Sequence, residues 1–482
     1  MPQVWEPKAS QGSHVPFITK YHYPILVVIL VLASFTAFGP RPEGLSLEGQ
    51  RALGVFVLCA LLWVTSLIPL QITSILALTL LPVLGALPEK DGVGSAEQAF
   101  RLFGNEAVFF ILGAFIMSAV LVKCGLSTRL TCIVLHTFSK SATQLRNAIF
   151  LFCAFFSCFM SEHAVAAMFF PVVSRIVTAL GLKPMQSRFG MSFFFALAWG
   201  CVIGGVTTYL GGARNPLAAG IYTQATGETI SFTYWLKASA PIVGLMLICA
   251  LLVLNLFYKA EPVDMEAAEK MLDADRDKLG PVSRQEWGVG ALFILTILGW
   301  VTLHESYGLA TIALLSVALM FIFRFTDWAT VERSVNWGII LMYGGAIALG
   351  SALSSAGTSA WLIDRLLGQA DLSPTATIII IAALSLVLTE FISNAAVVSV
   401  MLPVAISLAQ VQDISLVAIT LAVALPSGLT YTLPIGTPAT AIAYSSGFMS
   451  MKDFLKIGPI MGVISIAAFA FVAIFIWPLM GI

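Results

Sequence analysis

Ser161-Glu162-His163-Ala164-Val165-Ala166-Ala167-Met168 is a polar tip followed by apolar chain, set between the runs 150–160 and 164–180. A second stretch, Ser393-Asn394-Ala395-Ala396-Val397-Val398-Ser399-Val400, stands in the same way between the runs 375–392 and 395–409. A helix that spans a bilayer needs roughly 20 apolar residues, whereas arms of about 10–14 fit re-entrant segments. Two short apolar arms around a polar tip therefore read as a hairpin that enters the membrane and turns back. Non-helical backbone at that depth is tolerated only where protein buries it or it lines a water-filled cavity.

The two tips belong to a longer repetition. Asn105-Glu106-Ala107-Val108-Phe109-Phe110-Ile111-Leu112-Gly113-Ala114 resembles Asn336-Trp337-Gly338-Ile339-Ile340-Leu341-Met342-Tyr343-Gly344-Gly345. Pro171 and Pro403 follow the two tip serines at the same distance, and Leu210-Gly211-Gly212-Ala213-Arg214-Asn215-Pro216 is echoed by Ile435-Gly436-Thr437-Pro438-Ala439-Thr440. Generic likeness between apolar helices explains matching Ala and Leu, but not matched polar tips in matched order. Duplicated halves with Gly- and Pro-interrupted segments are the pattern of secondary transporters, with the binding site where the repeats meet.

Composition agrees. The chain has 482 residues, 59% hydrophobic and only 10% charged, against about 25% charged in a soluble domain. A soluble enzyme, a nucleic-acid binder and a disordered scaffold are excluded, and a polytopic membrane protein remains. Full-length apolar segments lie near 24–39, 51–69, 71–87, 107–135, 191–212, 236–258, 288–303, 306–325, 337–355, 415–435 and 457–480. The 25 basic residues balance 25 acidic ones, so net charge names no partner. Basic clusters at 123–146 and 175–188 belong in the cytoplasm by the positive-inside rule. The hydrophilic stretch 258–286 reads as a cytoplasmic, part-helical linker. The first twenty residues, with Pro2, Pro7 and Pro16, show no cleavable signal. Seven cysteines without CxxC or CxxH spacing read as small buried hydrophobes.

The tips carry the chemistry. Helix N-terminal amides and short Ser or Asn side chains bind anions, while unwound carbonyls hold cations. The first half adds Glu162, His163 and Arg214, and an ionisable group at membrane depth is costly enough to suggest function. Read alone, Arg214 is an interfacial flank and His163 a satisfied core histidine; their place at matched tips and breaks argues otherwise. Glu390 is a further intramembrane acid, read as support for the second tip. There is no His-Glu-x-x-His, nucleophile elbow or Walker-type Gly-rich Lys motif, so neither a membrane hydrolase nor an ATP-driven pump is indicated. An ion-only cation/proton antiporter that uses Glu162 and Glu390 stays open as a rival.

Ser393-Asn394-Ala395 at a hairpin tip, Thr389 upstream, Pro434-Ile435-Gly436-Thr437-Pro438 and Phe454-Leu455-Lys456-Ile457-Gly458 together resemble the divalent-anion/sodium symporter (DASS) family. The resemblance covers the chain from about residue 24 to its end. It implies an all-α protein with two inverted repeats, re-entrant hairpins and broken helices, built as a scaffold plus an elevator-type transport domain. It also implies a multi-pass cell-membrane homodimer that moves small dianions (dicarboxylates, citrate or sulfate) with sodium. Carried over by position, one sodium falls to Ser157, Ser161 and Gly211 beside Glu162. The other falls to Thr389, Asn394 and Gly436 with the Ile392 carbonyl, and this second site keeps more of the family pattern. Substrate contacts fall on Glu162, His163, Gly212, Ser393, Asn394, Ala395 and Pro438, and the charge of Arg214 adds that residue.

This chain departs from the family where it matters. The first tip reads Ser-Glu-His in place of Ser-Asn-Thr, Ala395 replaces Thr, Arg214 enters the first broken segment, and Thr440 stands for Asn. The expectation is a carrier of C4-type dicarboxylates, with sulfate or another oxyanion as the alternative. Arg214 then serves as a tethered cation in place of the first sodium, and Glu162, with His163, as the site of a coupling proton; the rival version keeps Glu162 ionised as a direct sodium ligand, with His163 positive against the substrate. The repeats are placed at 105–222, with tip 161–163, and 336–447, with tip 393–395. Scaffold helices occupy 1–104, 223–335 with linker 258–286, and 448–482.

Overall fold

The computed structural model describes residues 21–87, 95–138, 140–277, 279–335, 337–367, 373–434 and 436–482. The N-terminal prolines, Lys278 of the linker, and Asn336 and Ile435 of the repeat motifs lie outside these. Within them the chain is helical. In order come α1 (His22–Phe38), α2 (Leu47–Thr65), α3 (Leu70–Val83), α4 (Ser95–Phe103), α5 (Glu106–Lys123), α6 (Leu126–Thr137), α7 (Ala142–Ser157), α8 (Glu162–Ala179), α9 (Arg188–Gly205), α10 (Arg214–Thr226) and α11 (Phe232–Phe257). Then follow α12 (Glu266–Asp277), α13 (Arg284–Thr302), α14 (Leu309–Ile322), α15 (Trp328–Ser334), α16 (Trp337–Ser355), α17 (Thr358–Leu367), α18 (Pro374–Thr389), α19 (Asn394–Val411), α20 (Leu416–Ala424), α21 (Pro438–Tyr444) and α22 (Met451–Phe471). Nine helices among the described residues are long and apolar enough to cross a membrane.

Short polar side chains start these helices. Ser46, Asn105, Ser161, Ser187, Ser231, Ser283, Ser373, Ser393, Ser415 and Thr437 each accept from a first-turn amide. In an apolar surrounding an amide without a partner is expensive, so the caps mark where chain can turn inside the membrane. Three runs that read as full-length apolar segments break. The run 107–135 splits at Gly125, whose φ of +86° ends α5 and starts α6. The run 191–212 stops being helical at Val206. The run 415–435 ends its α-helix at Ala424 and passes into a 3-10 turn over Pro426–Gly428, because Pro426 has no amide hydrogen to continue the ladder.

The halves exchange partners. α5 of the first half packs on α14 of the second, where a Cβ on Gly113 would stand 2.7 Å from Ala313 Cβ. α16 of the second half packs on α3 of the first, and Ser74 Oγ donates to the Met342 carbonyl at 3.2 Å. The hairpin α7–α8 closes on α9, in which every residue from 189 to 205 is buried. Gly200 and Gly204 let α9 lie against the Phe150 and Ala154 carbonyls of α7. The hairpin α18–α19 closes likewise on α20, with Ser385 Oγ donating to the Val423 carbonyl at 2.6 Å.

The basic clusters and the linker share one face. Lys123 Nζ lies 3.1 Å from Asp327, Arg129 Nε 2.7 Å from Glu286, and His136 Nε2 2.7 Å from Asp273. Arg129 also donates to the carbonyls of Leu279, Gly280 and Pro281. It is the face that the positive-inside rule expects in the cytoplasm. Helix α12 makes the linker part-helical, as its composition indicates.

Candidate functional site

Each tip is sewn to the broken segment of its own half. At the first tip, α7 ends at Ser157 and Ser161 caps α8, its Oγ accepting from Ala164 N at 3.4 Å. Glu162 N donates to the Gly211 carbonyl at 3.0 Å, and Thr208 Oγ1 donates to the Cys158 carbonyl. Asn215 Nδ2 holds the break itself, donating to Gly205 O at 2.9 Å and Thr208 O at 2.6 Å.

The second half does the same work with a carboxylate. Glu390, at the end of α18, accepts from the successive amides of Tyr431 (2.9 Å), Thr432 (3.0 and 3.1 Å) and Leu433 (3.0 Å). A carboxylate held by several backbone amides is satisfied at depth, so Glu390 supports the loop below the second tip, the role its sequence position suggests. Ser393 caps α19, accepting from Ala396 N at 3.3 Å.

Between the tips lies Arg214, the first residue of α10, 2% exposed. Its Nη1 stands 3.4 and 3.3 Å from the two oxygens of Glu162, itself 2% exposed. On the other side the Asn394 amide turns its oxygen to the same Nη1 at 3.1 Å. Its nitrogen then donates to Thr389 Oγ1 at 2.8 Å and Ser427 O at 3.2 Å. The opposite amide orientation would set two donors face to face. Thr389 Oγ1 in turn donates to Ser427 O at 2.6 Å. One guanidinium thus links the first tip, the first break and the second tip. Its Nε and Nη2 are buried without a hydrogen-bond partner.

The other expected residues distribute around this centre. Gly212 lies against the guanidinium: a Cβ there would stand 2.6 Å from Nη1. Gly211 lies against the Ser157 and Gly205 carbonyls, and the Ser157 hydroxyl is buried without a partner. Those oxygens with Glu162 form a donor set suited to a hard cation. His163 faces a cavity of about 430 Å³ that Ser161, Gly211 and Gly212 share with Ser118, Val122 and Lys123 of α5. Lys123 places its mouth on the linker face. Among the described contacts Ala395 and Pro438 make no side-chain hydrogen bond to the centre, Ile392 is buried, and Gly436 packs on Thr430. Ser427, Gly428 and Gly205 were missed by sequence reading. Gly205 is the last residue of α9, whereas Gly428 follows the end of α20 at Ala424 and closes the 3-10 turn.

The comparisons with known proteins agree with this architecture. The sodium:sulfate symporter transmembrane region matches residues 20–482. A sodium-dependent dicarboxylate transporter, SdcS, of Staphylococcus saprophyticus is 26% identical over 94% of this chain and 90% of its own. SdcS of Staphylococcus aureus is 27% identical over 94% and 91%. Among solved structures, the YdaH transporter of Alcanivorax borkumensis aligns with a TM-score of 0.60 at 15% identity, over 86% of this chain and 99% of that one. MtrF of Neisseria gonorrhoeae, described with antimetabolite efflux pumps, aligns at 0.57 and 13% identity over 96% of each. At such identities the two structures bear on fold alone. The chain is a multi-pass cell-membrane transporter and belongs to the sodium:sulfate symporter family, the divalent-anion/sodium symporters that its hairpin tips resemble.

Proposed function

We propose that this protein carries a small dicarboxylate of the C4 type across the cell membrane together with sodium. The observation that carries the reading is the meeting of two hairpin tips at one guanidinium. The N-termini of α8 and α19, at Glu162 and Asn394, are bridged by Arg214 Nη1 at 3.3 and 3.1 Å. Two helix N-termini and a cation with free N–H groups favour an anion. Sodium-dependent dicarboxylate transport, for which the relatives are named, supports the choice of ligand.

In this reading Ser393 and Asn394 hold one end of the anion, and Arg214 with His163 attracts the other. Sodium enters at the second tip, with Thr389, Asn394 and Gly436, the site that keeps more of the family pattern. The transport unit moves as an elevator within a homodimer. A screen of labelled succinate, citrate and sulfate in proteoliposomes at equal sodium tests the substrate. Succinate uptake above both others supports the reading; uptake of sulfate alone contradicts it. An inward pH gradient in the same vesicles tests Glu162 as a proton carrier, since Glu162→Gln removes that drive if it is one.

A further inference from the structure

Facing the first tip, α5 is apolar except at one position. Phe115, Ser118, Ala119 and Val122 recur at helical spacing and line the cavity of about 430 Å³ beside Ser161 and His163. Ser118 carries the single hydroxyl of α5. A serine inside a helix can satisfy its hydroxyl on the carbonyl four residues earlier, as Ser399 does on Ala395 at 2.8 Å and Ser407 on Pro403 at 3.1 Å. Ser118 makes no such bond, and no other among the described residues, although it is only 7% exposed. The rest of the cavity suits an anion. Its far wall is the start of α8, with Ser161, His163 and Ala164, and the lead into α10, with Gly211, Gly212 and Ala213. Helix N-termini are positive ends. No carboxylate stands among the described lining residues, and Glu162, in the same first turn of α8, is paired with Arg214 at 3.3 Å. Lys123 brings a positive charge to the mouth, where Asp327 shares it at 3.1 Å.

We propose that Ser118 is a substrate-binding residue, its hydroxyl donating to one carboxylate of a small dicarboxylate held in this cavity against the first tip. The inference rests on the transport reading above and deepens it. A buried hydroxyl without a partner calls for an acceptor, and a carboxylate takes a charge-assisted hydrogen bond from it. The cavity volume lies in the range of small-ligand pockets, about 300–1,000 Å³. At the matched position of the second half stands Leu349, so this hydroxyl is not part of the duplicated pattern. The substrate then touches α5, which packs on α14, as well as the hairpin α7–α8.

Labelled succinate uptake in proteoliposomes, beside thiol labelling of the purified full chain in detergent, tests this. Ser118→Ala removes one charge-assisted hydrogen bond, so the succinate concentration for half-maximal uptake is expected to rise roughly tenfold or more. Sodium dependence and thermal midpoint should stay as in the wild type. An unchanged half-maximal concentration would overturn the proposal. In the Ser118→Cys chain, peptide mass spectrometry follows the thiol at position 118 under an anionic (sulfonate) and a cationic (trimethylammonium) methanethiosulfonate. The ratio of anionic to cationic rates should exceed that of a free thiol in solution, and succinate should slow both reactions several-fold. No reaction, or a ratio no higher than in solution, would overturn the proposal. So would a raised ratio without protection by succinate, where the wild type takes succinate up. A raised ratio without protection, in a protein that takes up no succinate, would uphold an anion site at Ser118 and reject succinate as the substrate.

Discussion

Arg214 can sit at membrane depth because Glu162, Asn394, Gly205, Gly212 and Gly428 surround it. Removing one member of a buried ion pair leaves the other charge uncompensated, at a cost of about 3–5 kcal/mol. Arg214→Gln and Glu162→Gln are each expected to lower the thermal midpoint strongly, and the double substitution to recover most of the loss. Thermal unfolding in detergent checks this; losses that simply add would deny the pair. Gly428→Ala forces a methyl into the guanidinium, an overpacking worth about 1–3 kcal/mol. Shortening the arginine in the same protein, by Arg214→Ala, should relieve it. If Gly428→Ala is silent on its own, the close contact is not as described.

The hairpins were legible because each puts a Ser-led polar tip between two apolar arms, although the second arm of each, α8 or α19, is long and apolar enough to cross a membrane, against the short arms the sequence suggests. Their supports were less so. Glu390 in an apolar run could be a cation ligand or a brace, and only the three amides of 431–433 decide between them. Glu390→Gln exchanges one acceptor oxygen for a donor amide facing those N–H groups. A buried hydrogen bond to a charged group contributes about 1.5–3 kcal/mol, so a loss of that order is expected in thermal stability, with sodium affinity unchanged in binding measurements. A lost sodium requirement would favour the antiporter reading instead. The breaks in 191–212 and 415–435 were less plain because no charged residue marks them, only Gly, Pro, Ser and Thr; their amides are met by Glu390 and Thr208, and their carbonyls by Asn215, rather than by water.

At the linker face, Asp327 caps α15 and pairs with Lys123 at the end of α5. The Thr330 amide and hydroxyl, and then Lys123, hold its carboxyl below the usual 3.8. The folded form therefore favours the charged state. Its contribution is present at neutral pH and is lost as the pH falls below 3.8 through the lowered value. Acidification to that range should open the α5–α15 corner, seen as faster amide exchange over 324–334. Asp327→Asn should show the faster exchange already at neutral pH and lose the acid response.

On the scale of the whole molecule, the exchanged packing of α5 on α14 and α16 on α3 commits both halves to one frame, and each frame carries a hairpin to the centre. Sequence showed the duplication through its tips but not this exchange, because contacts between distant segments leave no periodic trace in either. The proposed transport makes a single demand of this frame: cation and anion bind at the junction of the halves and cross together. Labelled succinate accumulation in proteoliposomes under an inward sodium gradient tests that demand most directly. Succinate should rise inside above its outside concentration and run back out when the gradient is collapsed. Equilibration without accumulation, identical with and without sodium, would contradict the account.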